Sequence, residues 1–284
     1  MVRSLITGLV ILLSTVCFTT NADNKIRNKA DEHFAKKEWK EASEVYNVLL
    51  HSSINDFSLY APAIVSAGNS NNYDRVMKYI SLSSKTGIPL DSIFSRTLSL
   101  SLKTRSTIVY ERMLLTIKQQ QPWLEKFINN HLLSFYYNRK NCIKTIEIAD
   151  AIIAKNPKNI IEVMSIKAKA LNDMGNINSA VSVMEDILSI DSNNIDARIF
   201  LGYYYYTSAK QSIKDFNFVV KIPTKRDKKS NNIKYINTDI YTALKRAKHY
   251  LSIDGFTDKS PYLQEVINEI TTMINAFEEP ITTP

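Results

Sequence analysis

The sequence is poor in cysteine and glycine, and both shortages limit what the protein can be. Only two Cys and six Gly occur among 284 residues. Six scattered glycines leave no Gly-rich loop that could cradle a phosphate group. Once an exported chain loses its N-terminal segment, Cys142 is its last cysteine, which excludes an internal disulfide. Residues equivalent to Cys142 at regular spacings along the chain are apolar, so we predict that its thiol is buried and inert.

Catalytic motifs are missing as well. The four His residues have no metal-ligand spacing, and no G-x-S-x-G nucleophile elbow occurs. The acidic residues are spread along predicted helix faces, as solvated charge usually is. We therefore predict a non-enzymatic protein with no cofactor and no metal. An enzyme whose groups converge from distant positions stays open as an alternative.

The first 22 residues have the features of a secretory signal peptide. Arg3 provides a positive start, residues 5–18 form an apolar run, and a small residue, Ala22, ends the segment. The run of 14 residues is shorter than the roughly 20 needed to span a bilayer. We predict cleavage before Asp23 and an exported protein, periplasmic or extracellular.

Cys17 offers an alternative, because a lipoprotein signal ends at a cysteine that becomes lipidated. The residue before it is Val16, whereas such signals carry a small residue there. Membrane attachment through Cys17 is therefore the less favoured prediction. Export also disfavours nucleic acid as a partner, although the chain has a net charge of +8.

A repeat of about 34 residues runs through the rest of the chain. Successive marker positions are separated by 34, 34, 35, 35 and 63 residues, the last spacing containing an insertion of 29. The markers are Ala42, Val76, Tyr110, Thr145, Ala180 and Ala243. Two antiparallel helices of about 14 residues with two short turns fill such a period. Fixed-period similarity of this length is typical of stacked helical hairpins.

Several units also match a known pattern of residue types. One unit has Ala168, Leu171, Gly175, Ala180 and Met184 in register, and the next has Leu201, Gly202 and Tyr205. These residues resemble the tetratricopeptide repeat (TPR) family. The units marked by Val76 and Tyr110 fit by spacing alone, because both residues are larger than the usual small residue.

The resemblance implies an all-α, right-handed superhelical solenoid of about six hairpins within residues 23–284. The predicted helix pairs are 25–36 with 39–52, 56–68 with 72–86, 90–102 with 105–120, 122–138 with 142–155, 160–173 with 177–190, and 194–210 with 238–253. A capping helix follows over 261–278, where apolar residues recur every three or four positions.

The insertion over 211–237 is the irregular feature of the chain. Apolar residues alternate over 216–222 and return over 233–236 around a polar stretch, which predicts a small β-hairpin or, alternatively, an irregular loop. Its basic residues are Lys225, Arg226, Lys228 and Lys229. They suit an anionic glycan, a lipid headgroup or an acidic protein, or serve only solubility.

The resemblance also indicates where a partner would bind, because first helices line the concave groove in TPR proteins. The residues at those registers are Tyr203, Tyr206, Lys169, Asn172, Asp173, Tyr137 and Asn138. A polar, aromatic groove suits an extended peptide or loop. We predict a protein-binding scaffold of the cell envelope, with a carbohydrate- or envelope-polymer-binding component as the alternative.

Overall fold

The computed structural model describes residues 23–155, 157–220, 231–255 and 260–278. Within these ranges the chain forms thirteen α-helices and no strand, which confirms the predicted all-α class. The helices are α1 (23–35), α2 (Trp39–Ser52), α3 (Tyr60–Asn69), α4 (Tyr73–Lys85), α5 (Leu90–Thr104), α6 (Thr107–Gln120), α7 (Glu125–Asn138), α8 (Cys142–Ile153), α9 (Ile160–Asp173), α10 (Ile177–Ile190), α11 (Ile195–Val220), α12 (Asn231–Leu251) and α13 (Pro261–Glu278).

Two compact units divide the chain, Met1–Leu132 and Leu133–Pro284. In the first unit, α3 is central and packs against α2, α4, α5 and α6. In the second unit, each helix from α9 to α13 packs against the helix before it. The predicted signal segment 1–22 with Cys17 lies outside the described residues, as do Lys225, Arg226, Lys228 and Lys229.

Five helix–helix turns share one backbone conformation, and they return with the period of the sequence. Each contains a residue with φ between 54° and 78°, at spacings of 34, 34, 35 and 35 residues. In each turn the next N–H bonds to the carbonyl five residues earlier, with N···O distances of 2.8–3.0 Å. This is a Schellman closure. The left-handed residues are Lys37, Asn71, Arg105, Lys140 and Gly175.

Three of these turns also start the next helix with an asparagine cap. The side chains of Asn72, Asn141 and Asn176 accept hydrogen bonds from backbone N–H groups three residues later, at 3.0, 3.2 and 3.4 Å. Such caps satisfy a backbone donor that a helix start leaves free. In these three hairpins the turn chemistry therefore fixes where the first helix stops and the second helix begins.

The last helix, α13, covers an apolar surface made by α11 and α12. Leu263, Val266, Ile267, Ile270 and Ile274 are buried in one cluster with residues of those two helices. Its opposite side is mostly polar, and Phe277, which the apolar pattern includes, is 36% exposed. Terminal units of helical repeats need such a polar outer face.

The predicted β-hairpin in the insertion is wrong for the residues that the structure describes. Residues 211–220 continue α11, and residues 231–237 begin α12. The difference arises at Ala209, which is equivalent in the repeat to the left-handed turn residues of the other hairpins. Ala209 is instead helical, and Lys210 follows it. Both are good helix formers, and extending an existing helix is easier than ending it without a stop signal. Short alternating apolar runs do not distinguish a strand from a buried helix.

Two large marker residues are buried in the first unit, and one close contact between helices there has its small residue on α3. Val76 and Tyr110 are fully buried. Gly68 on α3 faces Val109, and a Cβ there would lie 3.3 Å from Cβ of Val109 and closer still to its Cγ1. Close approach of two helices requires a small residue on one side only.

The prediction that Cys142 is buried is wrong. Cys142 is half-buried at the first position of α8, and its thiol points to the carbonyl oxygen of Lys140 at 3.7 Å. Register mates at the same helix start, Trp39, Tyr73 and Ile177, are also at least partly exposed. A helix start beside a hairpin turn lies at the edge of the stack, where neighbouring helices cover only one side.

Candidate binding face

The predicted groove residues of α9 are accessible and lie on one side of that helix. Lys169, Asn172 and Asp173 are all exposed. Their spacings of three and four residues place them on neighbouring turns of one face. Lys169 Nζ also lies 3.9 Å from Oδ2 of Asp196, the second residue of α11. That ion pair joins the exposed side of α9 to that of α11.

On α11, the two predicted groove tyrosines have different environments. Tyr203 is half-buried, and its ring stacks on that of Tyr262 from α13, with centroids 6.3 Å apart and an interplanar angle of 18°. Tyr206 is only 7% exposed and belongs to the cluster between α11, α12 and α13. The expectation that Tyr206 lines an open groove is therefore corrected, because α13 covers it.

The hydroxyl of Tyr206 takes part in a small polar network. It donates to Oε2 of Glu269 and accepts from Lys210 Nζ at 3.0 Å, and Lys210 Nζ also lies 2.8 Å from Oε1 of Glu269. The hydrogen bond from Lys210 holds the pKa of the Glu269 carboxyl below its usual value. Burial is the main cause that raises the pKa of Tyr206. This network fixes α13 on α11.

Tyr262 is an exposed aromatic residue beside Tyr203 that the sequence analysis did not select. It is 67% exposed at the start of α13. The Tyr203–Tyr262 contact is equivalent to the Lys169–Asp196 contact of the preceding hairpin. In both, a residue in the second half of one first helix contacts the second residue of the next first helix. Treating the helix that begins at Pro261 as a further first helix would have identified it.

These contacts define a continuous surface in the second unit, called here the first-helix face. It consists of Glu162, Lys169, Asn172, Asp173, Asp196, Tyr203, Thr207, Tyr262, Glu265 and Glu269. The surface has five acidic residues against Lys169 and the adjacent Lys210 and Lys214. Its charge is therefore opposite in sign to the +8 of the whole chain. Burial, helped by Tyr262, raises the pKa of Tyr203, so its hydroxyl stays neutral.

The remaining predicted groove residues lie on α7. Tyr137 is half-buried and Asn138 is exposed at the end of that helix. Among the described residues, no hydrogen bond or ion pair joins either side chain to α9. We therefore leave both out of the first-helix face, although their binding role stays a prediction.

Tyr204 and Tyr205 are packing residues, as their registers predict. Tyr204 packs against the cluster formed by α9, α10 and α11. Tyr205 stacks on Tyr250 with ring centroids 5.9 Å apart, donates to Oε1 of Glu185 at 3.0 Å and accepts from Arg246 at 2.9 Å. Tyr205 thereby links α10, α11 and α12.

A separate cavity in the first unit is small, and the positive charge of its arginine is already paired with an aspartate. It measures about 240 Å³ and is lined by residues of α1, the end of α2 and the following turn. Arg27 within it donates to Asp56 at 2.9 Å and hydrogen-bonds Ser58. Small-molecule sites usually enclose about 300–1,000 Å³. This cavity is the weaker candidate.

The described ranges contain neither a metal-type cluster nor a membrane-spanning helix. No group of three or more His, Cys, Asp or Glu side chains there could hold a metal ion. None of the helices in those ranges is both long and apolar enough to cross a bilayer.

Comparison with solved structures finds other helical proteins. A candidate protein-binding protein from Bacteroides ovatus has a TM-score of 0.58 at 21% identity, over 72% of this chain and 99% of its own. A TPR repeats protein from Bacteroides fragilis has a TM-score of 0.42 at 16% identity, over 89% and 99%. A tetratricopeptide repeat protein from Parabacteroides merdae has a TM-score of 0.35 at 13% identity, over 88% and 99%. No protein-family model matches the sequence, and the comparison with curated proteins found no significant match.

The hairpin period, seen in both the sequence markers and the left-handed turns, decides the assignment. The chain has a TPR-like fold. In TPR terms, the first-helix face is formed by the first helices of the fifth and sixth hairpins, with α13 in the place of a seventh first helix.

Proposed function

We propose that this TPR-like protein is a non-enzymatic scaffold that binds a peptide or loop of a protein partner on its first-helix face. One observation carries the proposal. The chain packs its own helices and still leaves most residues of this face exposed, joined from α9 to α13 by the Lys169–Asp196 and Tyr203–Tyr262 contacts.

The dimensions of the face suit an extended segment. Packed helices lie about 8–10 Å apart, so three first helices present a surface of roughly 20 Å. An extended chain rises about 3.3 Å per residue, and roughly six residues therefore cover that distance. Exposed amide, carboxylate and hydroxyl groups such as those of Asn172, Asp173 and Thr207 can hydrogen-bond to a peptide backbone.

The proposed location is outside the cytoplasm, in the cell envelope. It rests on the N-terminal sequence, with its charged start, apolar run and small residue before Asp23. The similarity to the Bacteroides ovatus protein, a candidate protein-binding protein, supports the scaffold part of the proposal.

A carbohydrate or envelope polymer is the second candidate ligand, and the exposed ring of Tyr262 favours it. An aromatic ring that is 67% exposed offers an apolar plane on which a sugar could stack. The two candidates differ in what would be found next to the face inside cells.

Site-specific photo-crosslinking in the organism that encodes the protein tests the proposal. A photoreactive residue placed at Asn172, on the first-helix face, should give a recurrent protein adduct. The same residue at Glu147, exposed on the second helix α8, is the matched control and should give none. Equal adducts at both positions would refute the face. Retention on cell-wall polymer without a protein adduct would favour the second candidate.

A further inference from the structure

Five aromatic rings of the second unit have a cation of the same chain over them, whereas the exposed ring of Tyr262 has none among the described residues. In these five pairs the cation lies 4.4–5.6 Å from the ring centroid. The pairs are Arg139 with Phe135, Lys144 with Tyr136, Lys210 with Tyr206, Lys245 with Tyr241, and Arg246 with Tyr205. Within the described ranges, no Lys or Arg lies over Tyr262, the most exposed tyrosine.

The geometry at Tyr262 leaves one side of its ring available. Tyr203 stacks near one side, with the two planes 18° from parallel. The ring is nevertheless 67% exposed, so its other side faces solvent. A planar guanidinium group binds well to such a ring face, because the ring quadrupole attracts the cation.

Carboxylates surround this position on the first-helix face. Glu265 follows Tyr262 by three residues and therefore lies on the same side of α13. Asp173 and Glu162 extend the acidic surface along α9. Among the described residues, Glu162, Asp173 and Glu265 have no ion-pair partner. Asp196 has only the 3.9 Å contact with Lys169.

We infer that the partner segment bound on the first-helix face is cationic, with an arginine stacked on Tyr262 and further Arg or Lys residues facing Asp173, Asp196 and Glu265. The inference rests on the proposed function and specifies the chemistry of its partner. An acidic segment would meet more like charge than opposite charge on this face, whereas a cationic segment would gain attraction to Asp173, Asp196 and Glu265 that a neutral one lacks.

Three labelled ten-residue peptides test the charge requirement. They share a Gly/Ser/Ala background and differ only in four positions, which carry Arg, Lys or Glu. Protein purified from cells expressing the full chain should bind the Arg peptide best, the Lys peptide several-fold more weakly, and the Glu peptide not measurably. The affinity should fall as salt rises, because exposed charges are screened within about 10 Å at 0.1 M. Preference for the Glu peptide would overturn the inference.

Two triple variants with identical changes of net charge locate the effect. The variant Asp173→Asn, Asp196→Asn, Glu265→Gln alters the first-helix face. The control Glu147→Gln, Asp186→Asn, Asp239→Asn alters exposed acids of the second helices α8, α10 and α12. We expect the first to weaken Arg-peptide binding about tenfold at low salt, from several weak exposed pairs, and the second to have little effect. Equal losses in both variants would place binding elsewhere.

The aromatic contact is tested through the preference for arginine. Tyr262→Ala should reduce Arg-peptide affinity towards the level of the Lys peptide, and Tyr262→Phe should restore it, because the ring remains. Phe277→Ala, near the end of the same helix, is the control. An unchanged Arg preference in Tyr262→Ala would refute the stacking role. Self-association in sedimentation measurements that depends on Asp173, Asp196 and Glu265 would instead identify a second copy of this chain as the occupant and overturn the peptide inference.

The experiments distinguish failure of the cationic-segment inference from failure of the proposed function. If photo-crosslinking at Asn172 captures a protein through a neutral or acidic segment, the scaffold proposal stands and the cationic inference is wrong. If neither the crosslink nor the Arg peptide is found on this face, both are wrong.

Discussion

The fifth and sixth hairpins differ at the turn, and the difference explains the most irregular part of the molecule. In the fifth hairpin, Gly175 takes φ of 78° and Asn176 caps the next helix, so α9 ends after 14 residues. In the sixth hairpin, Ala209 and Lys210 hold the same register positions, and α11 runs on for 26 residues. The residues at these two equivalent positions therefore decide whether the first helix of the hairpin ends or continues.

The same two hairpins also use equivalent positions differently. Asn172 in the fifth hairpin is exposed, whereas its equivalent, Tyr206, is buried beneath α13. Within the described residues no hairpin follows the sixth, and the helix that covers it has no second helix of its own. A position that is available for binding in the middle of a repeat array thereby becomes part of the core at its end.

The largest expected difference in unfolding free energy comes from replacing each of these two equivalent residues with alanine. Tyr206→Ala should cost about 3 kcal/mol or more of unfolding free energy, because it removes a buried aromatic ring and leaves Lys210 and Glu269 without its hydroxyl. Asn172→Ala should change it by less than about 0.5 kcal/mol. Denaturant unfolding followed by circular dichroism measures both. Similar values for the two variants would mean that α13 does not cover Tyr206.

The second effect concerns the marker position of the two hairpins. Ala180 is fully buried, whereas Ala243 in the sixth hairpin is only partly buried. Ala180→Phe should therefore cost roughly 1–3 kcal/mol through overpacking, and Ala243→Phe should cost less. Lys245→Phe, at an exposed site of the same helix, should cost least. A reversed order in thermal denaturation would show that the register is misassigned.

The repeat period could be read from the sequence because it depends on local signals. Small residues, turn residues and apolar spacing recur within each 34-residue window, and each acts on its immediate neighbours. The helix bounds followed from the same signals, for example at Gly175 and at Asp191–Asn194, where Asn194 caps α11 through the N–H of Ala197 at 3.1 Å.

What could not be read from the sequence depends on contacts between distant residues. The burial of Tyr206 requires α13, which begins 55 residues later, and Tyr262 reaches Tyr203 only because α13 packs there. In each case the sequence indicated the position of the residue within its helix, but it did not show which distant helix would cover it.

A third prediction tests the turn itself with one substitution at two equivalent positions. Lys140 has φ of 54°, a conformation that glycine adopts without strain, so Lys140→Gly should stabilise the protein by about 0.5–1 kcal/mol. Ala209 is helical and buried, so Ala209→Gly should cost about 1–2 kcal/mol. The opposite signs, measured by thermal unfolding, are the essential result. If glycine destabilises both positions equally, the left-handed turn does not end α7.

The smallest expected effect is the pH dependence that the Lys210–Glu269 pair adds to the sixth hairpin. The Lys210 hydrogen bond lowers the pKa of Glu269 below its ordinary value of 4.5. A lowered carboxyl pKa adds stability that is complete above the ordinary value and is lost as the pH falls through the folded-state pKa. Because Glu269 and Lys210 are both about half exposed, the change in melting temperature should be no more than about 2 °C. Glu269→Gln should remove this dependence below pH 4.5, whereas Glu265→Gln, an exposed acid on the same helix without an ion-pair partner among the described residues, should leave it in place. A pH profile that is identical in both variants would mean that Glu269 does not hold α13 against α11.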